Sequence, residues 1–257
     1  MDKKTVISQG RIDLACALRS AARLGLSEGV CNHFSLAIAD LPDRFLINPQ
    51  GLHWSEVTAA DILLIDTQGN VIEGSRTVEP TAFFIHARIH LAKKNAACVL
   101  HTHMPFATTL TLQEGGRLEP VSQNALRYYG RVAYDEEYNG LALSEDEGDR
   151  MCAKLAGADV LFLANHGVIV CAQSVAWAFD DLYYLERACM LQVLAQGTGK
   201  PLKRIPHAVA AATAKLMVED RTQSNLYFDA LKRMLDRDEP GWSRVVIESE
   251  SSSRTAT

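Results

Sequence analysis

The chain has 257 residues, 47% of them hydrophobic, and a formal net charge of -5. A chain of this size buries a core without disulfides or a structural metal. It carries no basic stripe of the kind phosphate recognition needs, which argues against nucleic acid as a partner. No stretch approaches the roughly 20 apolar residues of a membrane span, and the N-terminus lacks the pattern of a secretory signal. A cytoplasmic protein without a membrane partner is expected.

The first predicted helix runs from about Ser8 to Leu24 and stops at Gly25, where glycine tolerates a left-handed cap. A glycine-containing loop, Ser27 to Asn32, leads into alternating Phe34, Leu36 and Ile38, a strand pattern, with Phe45 to Asn48 as its hairpin partner. Ile62 to Asp66, a polar turn and then VIEG read as a second hairpin. Pro80 fits the first turn of a helix reaching about Lys94, because its missing N–H would be unpaired there anyway. ACVLHTH and VAYD read as strands, and Ser144 with Glu147 as a capping box opening a helix to about Ala156. VLFLA and VIVC flank the tight turn Asn165-His166-Gly167, where Gly167 permits unusual backbone angles. Helices near Ser174 to Gln196, His207 to Glu219 and Thr222 to Leu235 follow. One domain is predicted over residues 5–242, with helices on a largely antiparallel sheet. Residues 243–257 form a polar C-terminal tail.

The six cysteines form no C-x-x-C pair and lie mostly in apolar stretches, as free thiols do in a reducing compartment. The histidines carry more information. His101 and His103 stand at i and i+2 at the end of an apolar strand, so they share a face while Thr102 points away. His166, in a turn between two apolar strands, is placed to add a third nitrogen. Three neutral imidazoles suit a divalent ion, zinc above all, and leave a coordination position for substrate. A lone H-x-H is a weak signal. His86 and His90 form a rival pair at helical i, i+4 spacing, but HARIH lacks the glutamate after the first histidine that a metalloprotease helix uses as base. They read as helix-packing or hydrogen-bonded residues. His33, His53 and His207 have no partner spacing; His33 and His53 flank loops that can line a pocket.

Across GVCNHFSL, FLINPQGL, PTAFFIHARIH, VLHTHMPFA and LANHGVIV the chain resembles the class II aldolase/adducin family, in the family's order and spacing from about Arg11 to Leu194. The resemblance implies a three-layer α/β/α fold around a mostly antiparallel sheet. It also implies a homo-oligomer, commonly a fourfold tetramer, with active sites where subunits meet, and a zinc ion on His101, His103 and His166. Two departures matter. Counting back from His86, the position of the family's catalytic glutamate is Ala82; Glu79 lies one helical turn earlier and reads either as a base near the metal or as a helix-start acid. Of the phosphate-binding positions, Asn32 and Gly51 remain and Thr81 keeps a hydroxyl, while Gln50 and Pro80 replace the others. A weakened phosphate cradle suggests a substrate carrying a carboxylate or no phosphate.

A Lewis-acidic ion polarises a substrate carbonyl and stabilises the enolate left when the neighbouring carbon–carbon bond breaks. Tyr128 and Tyr129 are candidates for the proton donor that completes such a reaction, across a subunit interface; the alternative is ordinary packing before Gly130. Three readings follow: an aldolase-type lyase acting on a small hydroxy-carbonyl substrate, a metal-dependent decarboxylase of a hydroxy-aromatic acid, and an adducin-like binding protein without catalysis. Ala82 favours the second, and retention of all three histidines argues against the third.

Overall fold

In a computed structural model the protein is described over residues 2–39, 41–93, 95–141 and 143–245. An eight-stranded sheet in the order β4-β3-β2-β1-β5-β8-β7-β6 forms the middle layer. Its strands are β1 (His33–Ile38), β2 (Leu41–Ile47), β3 (Leu63–Asp66), β4 (Val71–Glu73), β5 (Cys98–Thr102), β6 (Val132–Asp135), β7 (Val160–Leu163) and β8 (Gly167–Ala172). Every neighbouring pair is antiparallel except β6 with β7. The sheet is therefore mixed but mostly antiparallel, as expected.

Period-two alternation divides the strand side chains between two helical layers. Phe34, Leu100 and Val170 turn to one face. There they meet Leu14 and Leu18 of α1 (Lys3–Arg23), Phe179 and Leu182 of α6 (Val175–Gln196) and Phe228 of α8 (Thr222–Asp238). Val99, Leu161 and Ile169 turn to the other. They pack on Ile85 and Ile89 of α2 (Pro80–Ala92) and on Met151 and Leu155 of α5 (Glu145–Leu155). Further along the same face, Phe45, Ile47, Leu63 and Ile65 cover Ala82 and Ala87 of α2. Each fully buried side chain of this kind contributes about 1.5–3 kcal/mol, which makes both layers part of one cooperative unit. Both faces covered by helices give the expected α/β/α architecture.

Several local expectations are refined. α1 begins at Lys3, earlier than Ser8, because the Asp2 carboxylate accepts from the Thr5 N–H at 2.9 Å and caps it. The capping box at α5 forms only in half: the Ser144 hydroxyl accepts from the Glu147 N–H, but the Glu147 carboxylate turns to Arg150 at 2.6 Å. Two short helices, α3 (Pro105–Thr111) and α4 (Gln123–Leu126), were not anticipated; α7 (His207–Glu219) was. Packing continues to Trp242, which is buried and whose carbonyl accepts from the Ala59 N–H. Residues 246–257 of the expected tail lie outside the described residues. Among the described residues, no helix is long and apolar enough to cross a membrane.

Candidate metal centre

The antiparallel register sets His33 of β1 opposite His101 of β5. Because Phe34 and Leu100 face the α1/α6 layer, His33, Ser35 and His101 face α2. His103 follows β5 directly, and the turn from Ala164 to His166 closes the β7–β8 hairpin over it, with Leu163 paired to Gly167. In that turn the left-handed residue is Asn165, at φ 56°. Gly167 needs no such angle, contrary to expectation. It is required for space: a Cβ there would stand 2.7 Å from Cδ2 of His103 and 2.5 Å from the Thr102 carbonyl oxygen.

One nitrogen from each of His101, His103 and His166 lies within 4.8 Å of the others. Their ring centroids are 4.7 to 5.1 Å apart. The Nδ1–H of His101 donates to the Val168 carbonyl at 3.0 Å, which leaves its Nε2 a lone pair. The Nδ1–H of His103 donates to Glu28 at 2.5 Å, and its Nε2 is buried without a hydrogen-bond partner among the described residues. Burial, reinforced by the neighbouring imidazoles, pushes His101 well below the ordinary histidine range and His166 down to about 4. Neutral rings with free nitrogens aimed at one point are what a borderline-soft divalent ion requires. The orphaned Nε2 of His103 in particular fits a metal, since a buried polar atom without a partner is otherwise costly.

Behind this trio lies a second polar group. His33, expected at a loop flank, is buried and stacks on His101 at a centroid distance of 6.0 Å. Its Nε2 is 3.1 Å from Glu79. Glu79 is the N-cap of α2: it accepts from the Ala82 N–H at 3.0 Å and from the Thr81 hydroxyl. Partial burial alone would raise the Glu79 pKa, but these three donors outweigh it and hold the carboxyl at about 2. Glu79 is thus joined to the centre through His33 and is not one of the grouped ligands. Ala82, at the family's glutamate position, is fully buried against the sheet.

His86 and His90 are hydrogen-bonded through Ser35 and lie outside the grouped ligands, as expected, although Nε2 of His86 has no partner among the described residues. The Nδ1–H of His90 donates to the Ala96 carbonyl at 2.9 Å, so its Nε2 accepts from the Ser35 hydroxyl at 2.7 Å. Ser35 Oγ then accepts from the Nδ1–H of His86 at 2.6 Å. Burial lowers His90 to about 4, with the bond to Ala96 working the other way. Its folded pKa lies below the unfolded value near 6.5, so the unfolded chain takes up the proton first as the pH falls. His90 therefore contributes stability that is complete above about pH 6.5 and lost as the pH drops toward 4. Thermal melts of metal-free protein should show Tm falling across that window, and His90→Gln should make the fall shallower. An unchanged slope in the variant would remove His90 from this account.

The remaining expected residues divide. Asn32, buried and left-handed at φ 74°, accepts from the His103 N–H through Oδ1 at 3.3 Å. Gln50 is exposed, with its N–H bonded to the Thr77 carbonyl, and Gly51 is left-handed at φ 82° with open space beside it. Thr81 spends its hydroxyl on Glu79. The role expected of Tyr128 is corrected to the packing alternative: it is buried in the larger core, out of a substrate's reach, and its hydroxyl donates to the Asp181 carbonyl at 2.5 Å. Asp181 also accepts from Arg131 and Arg221, so this tyrosine belongs to the cement between α4, α6 and α8. Tyr129 is only half-buried, and its hydroxyl meets Nδ1 of His207 at 2.6 Å.

Fold and site together define an α/β/α protein with a three-imidazole centre suited to a divalent metal. The model of the family "Class II Aldolase and Adducin N-terminal domain" matches residues 12–193. The chain belongs to the class II aldolase/adducin family. It is similar to a Pseudomonas aeruginosa protein named only for its class, aldolase class 2: 34% identical over 91% of this chain and 92% of that one. Decarboxylase NovR of Streptomyces niveus is 31% identical over 87% of this chain and 83% of its own. The crystal structure of an aldolase II superfamily protein from Pseudomonas syringae superposes with a TM-score of 0.86 at 31% identity, covering 93% of this chain and 96% of that one.

Proposed function

We propose that the chain is a metal-dependent carbon–carbon lyase of class II aldolase type, either an aldehyde-lyase acting on a small hydroxy-carbonyl substrate or a carboxy-lyase acting on a hydroxy-aromatic acid. The observation that carries this reading is the grouping of one nitrogen from each of three imidazoles within 4.8 Å of one another, with the Nε2 of His103 buried and unpartnered among the described residues. His101, His103 and His166 would hold the ion, zinc by the all-nitrogen donor set, with other divalent metals also accommodated. When bound, the ion supplies stabilisation of negative charge on a substrate oxygen. The residues around it bind and orient. Asn32 keeps the backbone of His103 in place, and we assign Gln50, Gly51 and Thr81 to binding a substrate anion. Glu79 contributes a fixed negative charge through His33.

A specific observation favours carboxy-lyase over aldehyde-lyase chemistry within this reading. Retro-aldol cleavage must remove a hydroxyl proton, and a good general base has a pKa near the working pH. Glu79, held at about 2, is far from that, and Ala82 has no acid to offer. Loss of carbon dioxide needs no such base, and the named activity of the Streptomyces relative is in keeping with it. A cytoplasmic homo-oligomer, a tetramer as is common in the family, belongs to the same proposal. Support comes from α7, whose outer face exposes Val209 and Leu216, and whose first residue, His207, bonds Tyr129. Tyr129 is thereby the proton donor we assign to a subunit contact.

The test is to load the protein with zinc and incubate it with panels of hydroxy-aromatic acids and sugar phosphates. Carbon dioxide release is the expected result. Aldehyde release would keep the lyase and reverse the preference. Neither product, from protein with metal bound on the three histidines, would overturn the enzyme in favour of an adducin-like binding protein.

A further inference from the structure

Of the three grouped histidines only His101 lies within a strand; His103 follows β5 and His166 sits in the turn between β7 and β8. His101 lies within β5, and its ring is pinned by a backbone carbonyl of the neighbouring strand. His103 lies past the end of β5, and the only hydrogen bond its ring makes among the described residues is to Glu28. That bond is 2.5 Å long although the Glu28 side chain is 61% exposed. An exposed carboxylate ordinarily gains little from such a contact, because water competes for it. Here the loop is built to deliver it. Gly29 and Asn32 are both left-handed, at φ 54° and 74°, and the Cys31 N–H closes a turn on the Glu28 carbonyl at 3.0 Å. Both ends of this turn hold the same residue: Glu28 takes the ring of His103 and Asn32 Oδ1 takes its backbone N–H.

We propose that Glu28 is a positioning residue for the metal centre, which holds the Nδ1–H of His103 so that Nε2 faces the ion, and that it makes the order of the Leu26–Asn32 loop depend on metal occupancy. The inference rests on the reading that His101, His103 and His166 bind a metal. A carboxylate on the distal nitrogen of a metal-bound imidazole fixes its tautomer and raises its basicity as a ligand. The ring and the loop then constrain each other: an ion on Nε2 stops the ring from turning, and a fixed ring holds Glu28 and the turn behind it. Gly167, with no side chain, is what allows the ring to lie in this orientation at all.

The experiment compares wild type, Glu28→Gln and Glu28→Asp for zinc affinity by competition with a chromophoric chelator, and for amide hydrogen exchange over residues 26–32 with and without zinc. Outer-shell partners of this kind are worth about 10–100-fold in affinity. Glu28→Gln should bind zinc weaker by that factor at unchanged stoichiometry. Zinc should slow exchange in the loop of the wild type and do so much less in the variant. Glu28→Asp, which keeps the charge on a shorter arm, should lie between them. Equal zinc affinity in wild type and Glu28→Gln, with equal protection of the loop, would overturn the role of Glu28 while leaving the metal centre intact. No zinc binding by wild type would overturn the centre itself.

Discussion

His103→Ala should release most of the metal the protein carries, whereas His90→Ala should leave the metal content unchanged. The contrast follows from what each ring already does. His103 has one nitrogen on Glu28 and the other buried with no partner among the described residues. Its removal leaves two nitrogens to hold the ion and frees Glu28 to water. The loss in affinity should exceed the about 10–100-fold that an outer-shell partner is worth. His90 has both nitrogens occupied, by Ala96 and Ser35, and lies outside the grouped ligands. Its truncation should cost stability instead, of order 2–5 kcal/mol as for other large-to-small core changes. Metal analysis after dialysis, together with thermal melts, separates the two. A fully metallated His103→Ala protein would refute the centre as assigned.

Glu79→Gln is the change that divides the two lyase chemistries. An aldehyde-lyase using Glu79 as base should lose roughly 10²–10⁴ in turnover, the usual worth of a positioned general base. A carboxy-lyase should lose little turnover, while stability should fall by about 1–3 kcal/mol as the helix-start charge and the charge-assisted bonds to it disappear. The second outcome is expected. To serve as a base, the carboxylate would have to take a proton while accepting from His33, Thr81 and the Ala82 N–H, and those donors are what hold it at about 2. The same arrangement has a signature in acid. Because the folded pKa lies below the unfolded one, Glu79 contributes stability above about pH 4.5 that is lost as the pH falls toward 2. Glu79→Gln should remove that part of the acid limb. The kinetic comparison requires the substrate identified by product release and metal contents matched to wild type. A large fall in carbon dioxide release from fully metallated Glu79→Gln would contradict the account of how the site manages without an acid at Ala82.

What the sequence determined by itself was everything that depends on short-range periodicity. Alternation at Phe34, Leu36 and Ile38 and in ACVLHTH identifies strands, because consecutive side chains must take opposite faces. For the same reason the H-x-H spacing puts two imidazoles on one side. The positions of Pro80, Ser144 and Gly25 mark helix ends, because missing donors, capping hydroxyls and left-handed glycines act locally. The one-turn helix at Gln123–Leu126 and the seven residues from Pro105 are too short to show a period, so only their caps could have marked them.

Tertiary structure alone decided the matters that turn on strand register and layer packing. Nothing near His33 in the chain indicates that it lies beside His101, because that contact is made by pairing β1 with β5 across 68 residues. Tyr128 and Tyr129 are neighbours with the same chemistry. Only the packing of α4 on α6 sends one hydroxyl into the core and leaves the other at the surface. Gly167 looks like a turn glycine, yet the strained angle belongs to Asn165, and the glycine is there because the ring of His103 crosses above it. Glu28 stands 75 residues from His103 and carries no motif. Its role depends on a distance in space, which a one-dimensional pattern does not encode.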